Sequence, residues 1–177
     1  MVRRAQDGDE RAFAELVRRH QRAAVRLAST IAGSSAAVDA TQEGFLRAHR
    51  GLDRFDADRP FRPWLLRIVA NAAKNEVRSS ARHLRLAGRA RSIRIELTVD
   101  EDPTHLTDER RALASALARL SIADRTIIAL RWFEDLSEAE IAAVLDVRPG
   151  TVKSRLSRAM ARLREAITTT EEATGDD

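Results

Sequence analysis

The stretch "LSEAEIAAVLDVRPGTVKSRLSRAMARLRE", residues 136–165, announces two helices and the turn between them. Ser137 is placed to N-cap the first helix, and Glu140, three residues on, completes a capping box. Ile141, Ala142, Val144 and Leu145 give that helix a face to bury. The following "DVR" (146–148) has the length of the turn in a helix-turn-helix. Pro149 suits the first position of the next helix, where its missing N–H would be unpaired in any case. In that second helix Val152, Leu156, Ala159 and Leu163 fall on one apolar stripe. At about 100° per residue, the opposite surface presents Lys153, Ser154, Ser157 and Arg158, with Arg155 and Arg162 on its flank.

Residues 146–165 hold six Arg or Lys and two acids. A DNA-reading helix needs short polar and long cationic side chains outward near its N-terminal end. Arg and Lys reach guanine edges or phosphates, and Ser can bond either. A solvated basic face on an ordinary helical hairpin would carry similar charge. The capping box, the short turn, the proline and the inward stripe together favour DNA. The expected DNA surface comprises Arg148, Thr151, Lys153, Ser154, Arg155, Ser157, Arg158 and Arg162.

Outward from that stretch, apolar periodicity predicts helices over 8–32, 36–52 and 62–82, with the loop "DRFDADRPF" (53–61) before the last. Helical spacing resumes at Leu113, Leu117, Leu120, Ile127, Ile128 and Leu130. No run alternates long enough to be a strand, and "SIRIELTVD" (92–100) reads as connector. Charge marks the boundary there: residues 59–94 hold ten Arg or Lys and one acid, whereas 95–109 hold six acids and no Arg or Lys. The expected fold is all-α: two small helical domains, 5–85 and 110–168, joined by a flexible acidic linker over 86–109, with a disordered tail over 169–177.

Composition narrows the function classes. The pI near 10.7 is compatible with a nucleic-acid partner. The chain has no cysteine, so disulfides, thiolate metal sites and a thiol nucleophile are excluded. No apolar run reaches the roughly 18 residues of a membrane span, and the N-terminus lacks the apolar core of a signal peptide, so a cytoplasmic protein without membrane insertion is expected. The four histidines, at 20, 49, 83 and 105, are scattered, and no nucleophile–base set or metal-ligand pair is visible; no enzyme, cofactor or metal is expected.

Two faces of the first domain carry further signals. On the 36–52 helix the inward stripe is read as Val38, Phe45 and Leu52, with His49 beside it. Asp39, Glu43, Leu46 and Arg50 share a neighbouring face, with Gln42 at its edge. Carboxylates around an apolar residue suit docking on a basic protein, although spacing alone favours a solvated face with one stray leucine. On the 62–82 helix Arg67, Asn71, Lys74 and Arg78 form one stripe opposite the core, with Asn75 beside it. The loop before it carries Phe55 and Phe61, followed by Trp64. An unstacked base needs an aromatic pocket and a cationic backbone track. Trp64 is expected in the core; for Phe55 and Phe61, core and base contact both remain open.

These motifs together resemble a bacterial sigma factor of the sigma-70 family, in its short two-domain extracytoplasmic-function group, over about residues 5–165. "DATQEGFLRAHRGLDRF" is similar to region 2.2, "RPFRPWLLRIVANAAKNEVRSSAR" to regions 2.3 and 2.4, and "LSEAEIAAVLDVRPGTVKSRLSRA" to region 4.2. The resemblance implies that Asp39, Gln42 and Glu43, with Leu46, meet the beta-prime clamp helices of core RNA polymerase. It implies that Phe55, Phe61, Arg67, Asn71, Lys74, Asn75 and Arg78 melt and read the minus-ten element, and that the second helix of the opening stretch reads the minus-thirty-five element. The beta flap, promoter DNA and an anti-sigma factor are the further partners it offers. His49 stands where the group usually has Trp, Asp146 replaces the usual turn glycine, and the turn proline falls one place later than is common. The chain starts almost at the first family helix, so no N-terminal autoinhibitory segment is expected, and the acidic linker stands in place of region 3.

The expected function is therefore that of an alternative sigma factor directing core RNA polymerase to promoters and assisting their melting. The rival is a stand-alone helix-turn-helix repressor or activator, which would need a dimerisation surface or effector pocket that the sequence does not display.

Overall fold

The computed structural model describes residues 1–86, 95 and 107–174, and among them every regular element is helical. The first module holds α1 (Val2–Gln6), α2 (Glu10–Ala32), α3 (Ser34–Gly51), a 3-10 turn (Leu52–Arg54) and α4 (Phe61–Leu86). The second holds α5 (Asp108–Arg119), α6 (Ile122–Ile128), a π-helical turn (Ala129–Phe133), α7 (Glu138–Leu145) and α8 (Pro149–Thr174). The fold is thus all-α in two small modules, the second containing the helix-turn-helix.

Local chemistry sets most of the boundaries. The helix expected over 8–32 is α2, which starts at Glu10: Gly8 takes a left-handed φ of 88° after the separate short α1, and Asp9 caps α2 by accepting the Ala12 N–H at 3.0 Å. That bond, then the Arg4 guanidinium, holds the Asp9 carboxyl below its ordinary range. Gly33, at φ 85°, turns α2 into α3. Thr107 and Ser121 cap α5 and α6 in the same way as Asp9 caps α2.

Helix α3 corrects the sequence reading. Val38, expected inward, is 56% exposed, and His49 is exposed with its ring edge-on to Phe13 at 4.7 Å. Phe45 is half-buried and Leu52 buried. The buried face consists instead of Ala37, Ala40, Thr41, Gly44 and Ala48. Small residues stand there because α3 lies close on α4: a Cβ on Gly44 would come within 2.8 Å of Val69 Cγ2 and 3.2 Å of Val69 Cα.

Two boundary expectations also change. Helix α8 runs through to Thr174, past residue 169 where a disordered tail was expected. The Thr168 and Thr169 hydroxyls bond back to the Arg164 and Glu165 carbonyls at 3.2 and 2.8 Å, so these polar side chains sit within the helix rather than ending it. Residues 175–177 lie outside the described residues. So does most of the expected flexible linker, 87–94 and 96–106; of the remainder, Leu86 ends α4, Asp108 and Glu109 open α5, and Ile95 is buried in the core.

The modules pack on each other, α4 against α7 and α2 against α6. Their core is continuous, with Leu27, Ile31, Leu65, Leu66 and Val69 in the first module and Leu117, Ile127, Leu130 and Ile141 in the second. At the junction Arg26 and Arg62 of the first module meet Glu134 of the second.

The α3–α4 contact yields a test. Gly44→Ala should lower stability by about 1–2 kcal/mol, because overpacking outweighs the roughly 1 kcal/mol gain in helix propensity. Gly150→Ala, in open space on α8, should instead raise it by up to about 1 kcal/mol. Urea unfolding of the two variants beside the parent chain reads both signs.

Candidate nucleic-acid interface

Helix α7 begins as its sequence dictates. The Ser137 hydroxyl accepts the Glu140 N–H at 3.3 Å, while Glu140 Oε2 accepts the Ser137 N–H at 2.9 Å and its hydroxyl at 2.7 Å. The hydroxyl and backbone donors of Ser137 hold the Glu140 carboxyl below its ordinary range. The helix ends at Asp146 in the left-handed region (φ 56°, ψ 51°), the conformation that the family's glycine would take without strain. Val147 N–H returns to the Ala142 carbonyl at 3.0 Å, and Pro149 opens α8.

On α8 Val152, Ala159 and Leu163 are buried and Leu156 half-buried. Arg148, Lys153, Ser154, Arg155, Ser157, Arg158 and Arg162 are exposed, and Thr151 is half-exposed. Three of them are internally engaged: Arg162 Nη1 donates to both Asp124 carboxylate oxygens at 2.9 and 3.0 Å, Arg158 Nε donates to the Ser154 carbonyl at 3.2 Å, and the Ser154 hydroxyl donates to the Thr151 carbonyl at 3.1 Å.

On α4 Arg67, Asn71, Asn75 and Arg78 are exposed and Lys74 is half-buried. Burial, then the neighbouring Arg78 charge, pushes the Lys74 ammonium below its ordinary pKa. Lys74 and Arg78 face Arg155, Arg158 and Arg162 of α8 across a cleft of about 490 Å³, floored by Ile122, Ile127 and Leu145. Part of each cationic row thus lines this one cleft, together with Asp124, whereas Arg67, Asn71, Lys153 and Ser154 do not. Arg67 also pairs with Asp146 at 3.3 Å.

Phe55 and Phe61 are in the core, 7% and 8% exposed. Phe55 lies 4.5 Å from Trp64 and 5.8 Å from Phe61, and Phe61 lies 5.4 Å from His20 of α2. Trp64, expected inward, is half-buried. Phe55 and Trp64, with Pro60 and Pro63, still line a cavity of about 410 Å³ rimmed by Arg54, Arg59 and Arg67 and closed by Ala139 and Ala143 of α7. Sequence reasoning missed Gln6, whose side-chain amide donates to the Leu52 and Phe55 carbonyls at 2.9 and 2.7 Å and so holds the start of this loop. Nothing local to Gln6 signals that role.

On α3 Asp39, Gln42 and Leu46 are exposed, Leu46 at 52%, and Glu43 is half-exposed and accepts from Arg47 Nε at 2.7 Å. Val38 joins them and adds apolar area. The spacing of the small residues 37, 40, 41, 44 and 48 could have revealed this, since it marks the opposite side as the packed one.

Asp146 offers a clean measurement. Asp146→Gly and Asp146→Ala both delete the Arg67 pair, but only glycine relieves the left-handed backbone. Asp146→Gly should be the more stable by about 1 kcal/mol in thermal or urea unfolding.

Comparison with known proteins bears on the same residues. The family model for sigma-70 region 2 matches residues 16–83, and that for sigma-70 region 4 matches residues 110–163. The chain is 38% identical over 169 residues to the RNA polymerase sigma factor NccH of Alcaligenes xylosoxydans xylosoxydans, covering 92% of this chain and 90% of that one. It is 34% identical over 180 residues to the ECF RNA polymerase sigma-E factor of Escherichia coli K12, covering 94% and 90%. Among solved structures it is similar to CnrH in complex with the cytosolic domain of CnrY, with 30% identity, a TM-score of 0.69 and 95% of each chain covered. A sigma factor RpoE from Bartonella quintana, 24% identical with a TM-score of 0.74 over 89% of this chain and 97% of that one, shares the fold. With both regions matched in order, and relatives aligned over nearly its whole length, the chain belongs to the sigma-70 family of RNA polymerase sigma factors, in the extracytoplasmic-function group.

Proposed function

We propose that this chain, an alternative sigma factor directing RNA polymerase to promoters, docks on the polymerase clamp through Asp39, Gln42, Glu43 and Leu46 of α3 and reads promoter DNA through α4 and α8. The observation that carries the reading is the pair of outward cationic rows, one on each module, on a chain whose α3 presents carboxylates around an exposed leucine. Arg148, Thr151, Lys153, Ser154, Arg155, Ser157 and Arg158 take the minus-thirty-five element, and Arg162 joins them by exchanging Asp124 for a phosphate. Arg67, Asn71, Lys74, Asn75 and Arg78 track the minus-ten strand. Trp64 and Phe55 supply apolar walls for an unstacked base at the 53–64 loop, with Phe61 supporting them from the core. Capturing unstacked bases offsets the cost of opening the duplex, so melting requires no covalent chemistry. The chain acts in the cytoplasm, where polymerase and promoter are; among the described residues no helix is long and apolar enough to cross a membrane. A regulatory partner of the kind CnrH takes, in its complex with the cytosolic domain of CnrY, and contact between the second module and the polymerase beta flap belong to the same reading.

Run-off transcription with purified core polymerase on genomic promoter fragments tests the whole assignment. Within it, Glu43→Lys should abolish core binding in a pull-down while leaving the circular dichroism spectrum unchanged, since the side chain points outward. Wild-type core affinity would remove Glu43 from the polymerase face.

The α4 row has its own test. Asn71→Ala with Lys74→Ala should spare core binding and reduce permanganate reactivity of unpaired thymines near the start site. A pre-melted bubble template should then restore most of the lost transcription. Absence of rescue with core binding intact would make the row a set of duplex phosphate contacts.

A further inference from the structure

Four cations line one cleft with no carboxylate to balance them. Lys74 and Arg78 come from α4, Arg155 and Arg158 from α8, and all four border the same space of about 490 Å³. Among the described residues none of the four makes an ion pair, and the hydrogen bond from Arg158 to the Ser154 carbonyl leaves its charge in place. Asp124 is the one acid of the lining, and Arg162 neutralises it through both carboxylate oxygens.

That arrangement carries a cost of its own. Lys74 is half-buried, and burial, then the adjacent Arg78 charge, weakens its ammonium. A cation drawn out of water is stabilised by an anion, never by a second cation. An anion with several charges, seated in the cleft, meets both walls at once and relieves their mutual repulsion. The floor sets the rest of the ligand. Ile122 and Leu145, half-buried, and Ile127, buried, make it aliphatic. Inorganic phosphate leaves such a surface wet, whereas a flat heterocycle covers it. The volume also falls in the range of small-molecule sites, about 300–1,000 Å³.

We infer that this cleft is a binding site for a nucleoside di- or triphosphate, with the phosphates held between Lys74 and Arg78 on one wall and Arg155 and Arg158 on the other, and the base resting on Ile122 and Leu145. The Asp124–Arg162 pair keeps the acid of the lining from repelling the phosphates. The site does not depend on the proposed DNA reading. It does draw on side chains that reading also uses, so nucleotide and promoter DNA exclude each other there, and each lowers the apparent affinity of the other by the same factor.

Titration calorimetry of the full chain with ATP, with inorganic tripolyphosphate and with adenosine separates the contributions. ATP should bind one to one, and tripolyphosphate and adenosine at least about tenfold more weakly, since each gives up one of the two kinds of contact. Lys74→Gln and Arg155→Gln, one from each wall, should each weaken ATP about tenfold. Leu145→Ala should weaken ATP severalfold and leave tripolyphosphate within about twofold, because it removes only apolar contact. Arg164→Gln, which deletes an exposed cation of α8 outside the cleft, should leave ATP within about twofold. Equal losses from Arg164→Gln and Lys74→Gln reduce the effect to attraction by a basic surface and overturn the site, as does the absence of ATP binding. Tripolyphosphate binding as tightly as ATP overturns the nucleotide assignment. A promoter duplex should weaken ATP binding; unchanged ATP affinity with the duplex bound overturns the mutual exclusion and counts against the DNA assignment of these four side chains, not against the site. Circular dichroism checks each fold, and should Leu145→Ala fail to fold, the comparison of ATP with tripolyphosphate decides the role of the floor.

Discussion

The close approach of α3 to α4 constrains everything else in the first module. Gly44 and its alanine neighbours let the two helices meet without intervening side chains, and α4 answers with Val69, Ala70 and Ala73. Each helix is then free to turn its other side to solvent. Helix α3 shows Val38, Asp39, Gln42 and Leu46 there, and α4 shows Arg67, Asn71, Asn75 and Arg78. A rigid packed pair thus carries one surface suited to a protein and one suited to nucleic acid, with their relative orientation fixed by close packing rather than by long flexible side chains.

Charge follows a similar division of labour. Among the described residues the two buried acids are paired: Glu134 by two arginines, Asp124 by Arg162. Lys74, Arg78 and Arg155 have no carboxylate partner among the described residues, and burial already weakens the Lys74 charge. Paired charges fix register, and unpaired cations of one sign create a field for a polyanion. The same fold needs both, and it keeps them on different helices or on different sides of one.

The second module was legible in the sequence because its signals are local. Ser137, Glu140, Pro149 and the stripe Val152, Leu156, Ala159 and Leu163 all act within one or two turns of helix, and all take the places expected of them. The α4 row was legible for the same reason. Helix α3 was misread because large apolar residues were taken as the packing signal, whereas a contact this close selects alanine and glycine. For Phe55 and Phe61 no local pattern could decide. Their burial depends on each other and on Trp64, and for Phe61 also on His20, which comes from α2. Glu134 was beyond reach altogether: its partners lie 108 and 72 residues away, and nothing in "WFEDLS" distinguishes an enclosed carboxylate from a solvated one.

Gln6 extends that point into the order of folding. Its two hydrogen bonds tie carbonyls 46 and 49 residues further along the chain. Such long-range contacts become affordable in entropy only after the intervening helices have formed and packed. Helices α2 and α3 must therefore be in place before the strap can fasten, and the start of the aromatic loop becomes ordered late, after the scaffold beneath it. The 53–61 loop would then be among the first segments to loosen when the scaffold is perturbed, and hydrogen exchange at its amides would report on docking of α1 rather than on the stability of α4.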